Sequence, residues 1–327
     1  MCELLGAGFD VHAAPYPFLR EVKRRIQWEP VRQSLERAYA DQGRPAWDPV
    51  LMTKLWLLQK WFGLSDRAVI ENAMDRASFR EFLDLAPDDP LPDFSTLHVF
   101  RERLQRHGLA EAPLAEVDRQ LHEQGLLVRG GQSVIVDGSL IPSQTNRGTT
   151  DEHGAPMEPE ATTQGRSDGT PPTHGWKLHA AVDEATGLIE AATVTTATAS
   201  ERAELPELLD QCQPCEVLAD KGYPSAEVDR VLRGRKVRNL VMCKKPRGAR
   251  LSEYHRKRNA RIAKRRAPAE GTFGILKRVY GWSRSRWRGL VKTARELRWT
   301  ITAFNLRKLH TLGWSVGSRA GPQCSSS

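Results

Sequence analysis

At 327 residues the chain has room for two domains with ample core, and no apolar run approaches the roughly 20 residues that a membrane-spanning helix needs. The start, Met1-Cys2-Glu3-Leu4-Leu5-Gly6, lacks the basic and apolar stretches of a secretion signal, so a cytoplasmic protein with no membrane partner is expected. The formal net charge is +9, and the window from Lys244 to Arg266 holds eleven bases against the single acid Glu253, which points to a polyanion such as nucleic acid.

The first fifty residues mix Pro, Gly and aromatics, with a helix expected around Pro30–Asp41. Asp48 then suits an N-cap, Pro49 a first helical position and Gly63 an exit, and Leu51, Leu55, Leu58 and Phe62 recur at helical spacing between them. Trp56, Leu57 and Trp61 widen that apolar face, which predicts a buried helix. A second helix is expected from Ser65, carrying Ala68, Val69 and Ala73 toward Phe79 and Leu83. After the turn Pro87-Asp88-Asp89-Pro90, Ser95 is expected to cap a third helix that ends before Gly108, and Ala112–Gln124 a fourth. Residues 1–128 therefore read as an all-helical domain. Such helices are either a helix-turn-helix reader, for which Arg101, Arg103 and Arg106 speak, or a bundle that packs and dimerises.

From Gly130 the pattern changes. Ser133-Val134-Ile135-Val136-Asp137 is an apolar, β-branched run ending in a carboxylate, and Glu216-Val217-Leu218-Ala219-Asp220 repeats the arrangement. Residues 144–173 are polar and rich in Gly, Pro and Thr, which predicts a mobile loop. Trp176–Val182 and Leu188–Thr195 flank a turn at Asp183–Gly187 and predict a β-hairpin. Helices are expected at Glu201–Gln211 and Ser225–Leu232, and a short strand at Asn239–Met242. The order is that of an α/β domain with a mixed sheet covered by helices. Cys212-Gln213-Pro214-Cys215 has the spacing of half a zinc site without a second half.

Strand-end aspartates on neighbouring strands converge at one sheet edge, where they repel unless a proton or a cation intervenes. Farther on, Arg266, Glu270, Phe273, Lys277 and Tyr280 share a helix face, with Pro268 near the expected start and Glu270 in the first turn. Taken alone, Glu270 is either a rung of a surface ion-pair ladder or a third carboxylate. Three carboxylates beside a basic surface meet the needs of phosphodiester chemistry, where two Mg²⁺ ions activate the nucleophile and stabilise the leaving oxygen.

These residues resemble the DDE transposases of bacterial insertion sequences, most of all the insertion-sequence-five family. The resemblance is carried by Val-Asp137-Gly, Ala-Asp220-Lys-Gly-Tyr and Arg266-x3-Glu270-x6-Lys277. Also similar are Leu64-Ser65-Asp66-Arg67, the stretch Asp89 to Leu97, the stretch Gly175 to Asp183, and Phe304-Asn305-Leu306-Arg307. It spans about Asp48 to Leu309 and implies an RNase H-like catalytic domain, expected over 129–312 around loop 144–173, and a helical DNA-binding or dimerisation domain, expected over 1–128; a disordered tail is expected over 313–327. Asp137, Asp220 and Glu270 are the implied catalytic and metal-binding triad, taking two Mg²⁺ ions for which Mn²⁺ substitutes. DNA contacts are expected from Lys177, Lys221, Arg265, Arg266, Lys277, Arg278 and Arg101. The family often has Tyr three residues before that Arg, where this chain has Ala263.

The expected activity is that of a transposase acting as a homodimer on double-stranded DNA. It would bind the terminal inverted repeats of its element, hydrolyse the end phosphodiester and join the 3′-hydroxyl to target DNA. Competing readings are a catalytically inactive DNA-binding protein or regulator of the same descent, and a nuclease indifferent to end sequence. A glycosidase, the other user of paired carboxylates, leaves the basic window without a purpose.

Overall fold

Asp48, Pro49 and Gly63 frame their helix as their chemistry predicts in the computed structural model, which describes residues 17–39, 46–127, 132–165, 170–246, 248 and 250–315. The expectations that touch Gly130, Gly131, Arg247, Asp41, the loop residues 166–169 and the tail from 316 onward lie outside the described residues. The chain divides into two units, Met1–Gln120 and Leu121–Ser327.

The first unit contains α1 (Pro17–Arg25), α2 (Trp28–Gln33), a single 3-10 turn (Glu36–Ala38), α3 (Pro49–Phe62), α4 (Asp66–Asp75), α5 (Ala77–Leu83) and α6 (Phe94–Arg106), and α7 (Ala112–Glu123) runs across its boundary. The Asp48 carboxylate accepts from Val50 N at 2.8 Å, and Gly63 closes α3 in the left-handed region at φ 64°. Eleven of the fourteen residues of α3 are buried, as befits a helix apolar on nearly every side. Trp61 meets Phe18 and Phe82 edge-on, with ring centroids 4.8 and 5.5 Å apart. Lys54, only 1% exposed, pairs with Asp84 and sets its ammonium 4.7 Å from the Trp28 ring centroid.

Several boundaries in this unit differ from expectation. Helix α1 carries Phe18, Leu19 and Val22 into the core, and the helix expected over Pro30–Asp41 is instead α2 followed by the 3-10 turn. The helix from Ser65 breaks at Arg76, whose extended backbone both ends α4 and starts α5; the break lets Phe79, Phe82 and Leu83 bury themselves. The third helix is capped by Asp93, which accepts from Ser95 N at 2.8 Å, so Ser95 lies inside it.

In the second unit a six-stranded mixed sheet is built from β1 (Ser133–Pro142), β2 (Thr162–Gln164), β3 (Thr173–Asp183), β4 (Ile189–Thr196), β5 (Glu216–Ala219) and β6 (Arg238–Val241). β3 lies between β1 on one side and β4 with the short β2 on the other, all antiparallel to it; β5 pairs parallel to β1, and β6 parallel to β5. β2 falls inside the stretch expected as a loop. Thr162 and Thr163 are β-branched and pair with Gly175 and His174. Between them and β1, the buried Glu158 accepts from Thr145 N at 2.9 Å.

Helices cover both faces. On one, α8 (Glu201–Cys212) and α9 (Ala226–Gly234) pack Leu205, Leu208, Val228 and Leu232 onto Val134, Val136, Val217 and Ala219. On the other, α10 (Glu253–Arg278) and α11 (Leu290–Thr311) pack Ile262, Phe273, Leu297 and Phe304 onto Ile135, Leu178, Ala180 and Leu218. Each such large side chain removed from water contributes about 1.5–3 kcal/mol. Alternation along β1 and β5 thus sends odd-numbered β1 residues and even-numbered β5 residues to the α10 face.

Helix α10 is much longer than expected. Ser252 caps it by accepting from His255 N at 3.2 Å, so most of the basic window is helical and Pro268 sits in the interior. Glu270 is therefore far from the first turn and beyond the reach of the positive end of the helix dipole, contrary to expectation. Helix α11 was not anticipated as an element. Its Asn305 anchors β4, accepting from Ile189 N at 3.0 Å and donating to Ile189 O at 2.9 Å.

Candidate active site

β1 and β5 pair in register at Ser133↔Glu216, Val134↔Val217 and Ile135↔Leu218. Continuing that step by two residues sets Asp137 level with Asp220. Neighbouring strands run about 4.8 Å apart, and both side chains have the parity of the α10 face. The sequence expectation that these carboxylates meet at one sheet edge therefore has a backbone basis. One detail differs: β1 does not stop at Asp137 but continues to Pro142 against β3, so Asp137 marks the end of its ladder with β5 only.

Asp137 is well buried. Its Oδ1 accepts from Gly138 N at 2.9 Å, and its Oδ2 accepts from Arg266 Nη2 at 2.8 Å. Burial raises its pKa, with the Asp220 charge adding to the rise, while Arg266 and the Gly138 amide oppose it. Asp220 Oδ1 accepts from Gly222 N at 2.7 Å. A Cβ at Gly222 would come within 2.8 Å of Asp220 Oδ1, so a larger residue there would turn that carboxylate aside.

Glu270 lies one helical turn beyond Arg266 on α10 and is exposed, and it makes no hydrogen bond or ion pair among the described residues. No group of three Asp, Glu, His or Cys side chains among those residues is spaced to hold a metal ion as it stands. The structure thus brings Asp137, Asp220 and Arg266 together and leaves Glu270 outside that cluster. The chemistry of the donors still fits a hard divalent cation. They are carboxylate oxygens, and Asp137 already attracts a cationic group, the Arg266 guanidinium.

The remaining candidate residues have varied surroundings. Lys177 is buried, donates to Ala199 O at 2.9 Å and lies 3.8 Å from Glu201 Oε1. Arg265 is bound to Glu184 at 2.6 Å and to Glu216 at 3.0 Å, a network that ties α10 to the start of β5. Arg101, in the first unit, is paired with Asp66 and stacks over Trp56. Lys221 and Arg278 are exposed, and Lys277 is half-buried. Within the basic window, Arg258 donates to Val241 O at 2.8 Å, whereas Lys244, Lys245, Arg250, Arg256, Lys257, Arg261 and Lys264 are exposed.

Two residues next to the aspartate turns carried no functional reading in the sequence: Glu201, whose carboxylate lies over Gly138, and Arg202, whose Nε donates to Gly222 O at 2.9 Å. The available signal was an acid in the first turn of the helix that follows the hairpin, a common position and hence a weak one. Cys212 is a free, buried thiol donating to Leu208 O at 3.1 Å, and burial pushes its pKa up to about 12, so it stays protonated at neutral pH.

Residues 129–306, more than half of the chain and including Asp137, Asp220 and Glu270, match the family described as transposase DDE domain. The chain belongs to the DDE transposase family. Residues 10–103 match a second description, transposase domain (DUF772). The sheet order of this transposase, with three antiparallel strands and then two parallel ones, is the RNase H-like arrangement. Among solved structures it is similar to a piggyBac transposase in a cryo-EM synaptic complex with hairpin DNA, at 11% identity and a TM-score of 0.40, over 94% of this chain and 78% of that one. That likeness is too distant to carry an argument. No helix among the described residues is long and apolar enough to cross a membrane.

Proposed function

We propose that this transposase binds the terminal inverted repeats of an insertion sequence, hydrolyses the phosphodiester at each end and joins the freed 3′-hydroxyl to target DNA. The supporting observation is the pair Asp137 and Asp220, level on adjacent parallel strands and turned toward the helix that carries Arg266 and Glu270. In hydrolysis water oxygen bonds to phosphorus and the 3′ oxygen departs; in joining, that 3′ oxygen attacks a target phosphorus and displaces the target's own 3′ oxygen. Members of the family generally use divalent metal ions. Bound Mg²⁺ or Mn²⁺ would supply Lewis-acid stabilisation of the attacking and leaving oxygens, with Asp137, Asp220 and Glu270 as the residues to hold it.

Arg266 has a second task in this reading. Its Nη2 pairs with Asp137 while its buried Nε has no hydrogen-bond partner among the described residues, so in this reading the same guanidinium that steadies Asp137 also adds positive charge where the scissile phosphate would lie. The exposed bases of α10 and the segment before it grip the backbone, and Lys221, Lys277 and Arg278 lie on the same unit. Residues 1–128 serve as the DNA-binding or dimerising domain, and a homodimer joins the two ends in the cytoplasm, on the nucleoid.

The test is cleavage of DNA carrying the element ends in Mg²⁺, with Asp137→Asn, Asp220→Asn and Glu270→Ala as variants that should bind but not cut. A folded Glu270→Ala protein that cuts as fast as wild type removes Glu270 from the mechanism. One observation favours a second reading, a DNA-binding regulator without catalysis: Arg266 holds Asp137, and Glu270 stands apart. Retarded end DNA with no strand cut in either Mg²⁺ or Mn²⁺ selects that alternative.

A further inference from the structure

Residues 281–289, which join α10 to α11, carry Arg284, Arg286 and Arg288 and no acid, and none of the three arginines has a part in the site described above. The connection is firmly held. Trp282 and Trp287 stack with ring centroids 5.5 Å apart, and Trp282 Nε1 donates to Thr300 Oγ1 at 3.0 Å. The buried Ser285 donates its amide to Pro142 O at 2.8 Å and its hydroxyl to Trp287 O at 2.9 Å. Gly289 N donates to Glu158 Oε1 at 3.3 Å. With Trp282 and Ser285 turned inward, Arg284, Arg286 and Arg288 are left exposed.

The arginine charges are oriented but not neutralised. Arg284 Nη2 donates to Asn146 Oδ1 at 3.1 Å and Arg288 Nε to Gln144 Oε1 at 3.2 Å, both of them neutral amides. Arg286 lies over Gly281, where a Cβ would be 3.0 Å from its Nη2. None of the three makes an ion pair among the described residues, whereas Arg101, Arg265 and Arg266 are each paired with an acid. The acids that hold the loop, Glu158 and Glu160, accept from the backbone amides of Thr145, Gly289 and Leu290 instead. Like charges kept close by a firm loop repel one another, and a polyanion relieves that cost. The loop's place in the fold is an independent observation. Its anchor, Pro142, ends β1 five residues past Asp137, or about 17 Å along the strand. The ladder with β5 ends at Ile135, so Gly138, Ser139 and Leu140 lie half-buried on an edge beyond it. That edge leads from the aspartate to the arginines.

We propose that loop 281–289 is a second DNA-binding surface, which clamps the phosphate backbone of the element-end duplex about five base pairs from the bond that is cut, each base pair advancing about 3.4 Å. This rests on the transposase reading above and deepens it. The end duplex is the occupant because it stays at the centre through hydrolysis and joining alike. Arginine suits the task, since its planar fork can meet two phosphate oxygens at once, and the amides of Gln144 and Asn146 orient it without cancelling its charge. The surface is distinct from the basic stretch of α10, whose Arg258 is anchored on β6, two strands across the sheet from β1.

The experiment is gel retardation and hydroxyl-radical footprinting of the full chain on a duplex carrying one element end, without divalent metal so that nothing is cut. Wild type is compared with the joint variant Arg284→Gln, Arg286→Gln, Arg288→Gln and with the joint variant Gln144→Glu, Asn146→Asp, with melting curves to report folding. The second variant keeps every arginine and sets a carboxylate against two of them. We expect both to weaken binding at least tenfold and to lose protection about five base pairs from the cleavage site, while protection at the site itself remains. The amide variant should melt no lower than wild type, because ion pairs replace neutral bonds; a loop with only a structural role would leave its DNA binding intact. If both variants bind and protect within twofold of wild type, this inference is wrong and the transposase reading survives. An intact footprint with only joining to target DNA or subunit association impaired also overturns it, since the loop then faces another partner. If wild type itself shows no preference for the end duplex over unrelated DNA, the transposase reading fails and this inference with it. Should the arginine variant fail to fold, the amide variant decides.

Discussion

Replacing Arg266 with Met tests whether Asp137 depends on the guanidinium that now holds it. The pair is 2.8 Å apart, with side chains 11% and 22% exposed, so little water remains to solvate a stranded carboxylate. Removing one partner of a fully buried pair costs about 3–5 kcal/mol; with this residual exposure about 2–3 kcal/mol is the reasonable figure. For a unit of some two hundred residues that corresponds to a melting transition lower by roughly 5–10 °C. The pH dependence has a definite sign. Asp137 already has a raised pKa, and losing Arg266 removes an opposing influence, so the rise grows. The deficit is then present while Asp137 is ionised and shrinks as the pH falls through its folded-state pKa. Scanning calorimetry of Arg266→Met at neutral and mildly acidic pH reads the effect. Adding Asp137→Asn should return most of the lost stability, because a neutral amide has no charge to strand. A single variant melting within about 1–2 °C of wild type, or a double variant no better than the single, refutes the reasoning on which the magnitude stands.

Other expectations follow from separate features. Asp84→Asn keeps the left-handed backbone at φ 60° but leaves the buried Lys54 ammonium with a neutral partner, at a cost of about 2 kcal/mol. Burial already lowers the Lys54 pKa, so this deficit is present at neutral pH and shrinks as the pH rises through that lowered value; urea unfolding at two pH values checks it. Gly175→Ala places a Cβ 2.4 Å from Ile141 O and Ser143 N at a φ of 151°, and should destabilise the second unit by about 3 kcal/mol or more, measured by melting. Lys257, Arg261 and Lys264 are exposed on one face of α10, and their joint change to Gln should reduce the slope of log affinity against log salt by up to about 0.9 for each phosphate left without its cation. An unchanged slope in a filter-binding titration places the DNA elsewhere.

Where a single local signal decides, the sequence was a reliable guide. Asp48, Pro49 and Gly63 fixed α3, and the β-branched run with its terminal acid located β1 and β5. Their register is nonlocal, yet the repeated pattern of four apolar residues and an Asp anticipated the level placement of Asp137 and Asp220. Pattern reading failed where a breaker is overruled by its surroundings. Pro268 suggested a helix start, but its missing amide bond is tolerated inside a 26-residue helix packed against the sheet by Ile262, Ala269 and Phe273. Charge was legible in total and not in deployment: Arg258, Arg265 and Arg266 of the basic window turn inward to backbone or acids, and Lys177 and Arg101 do likewise. The contact of the Glu201 carboxylate with Gly138 could not be foreseen, because the two residues lie more than sixty positions apart in the sequence.

The shared level of the two aspartates has a consequence for how copies of such a gene decay. One added codon between Ser133 and Asp137, or between Glu216 and Asp220, rotates the next side chain to the opposite side of the sheet, so the acid is exchanged for an apolar neighbour and no adjustment nearby restores it. The exposed turn at Asp151–Gly154 has no such constraint and should absorb extra codons quietly. Length changes surviving in functional copies should therefore cluster in that turn and be missing from the two short runs.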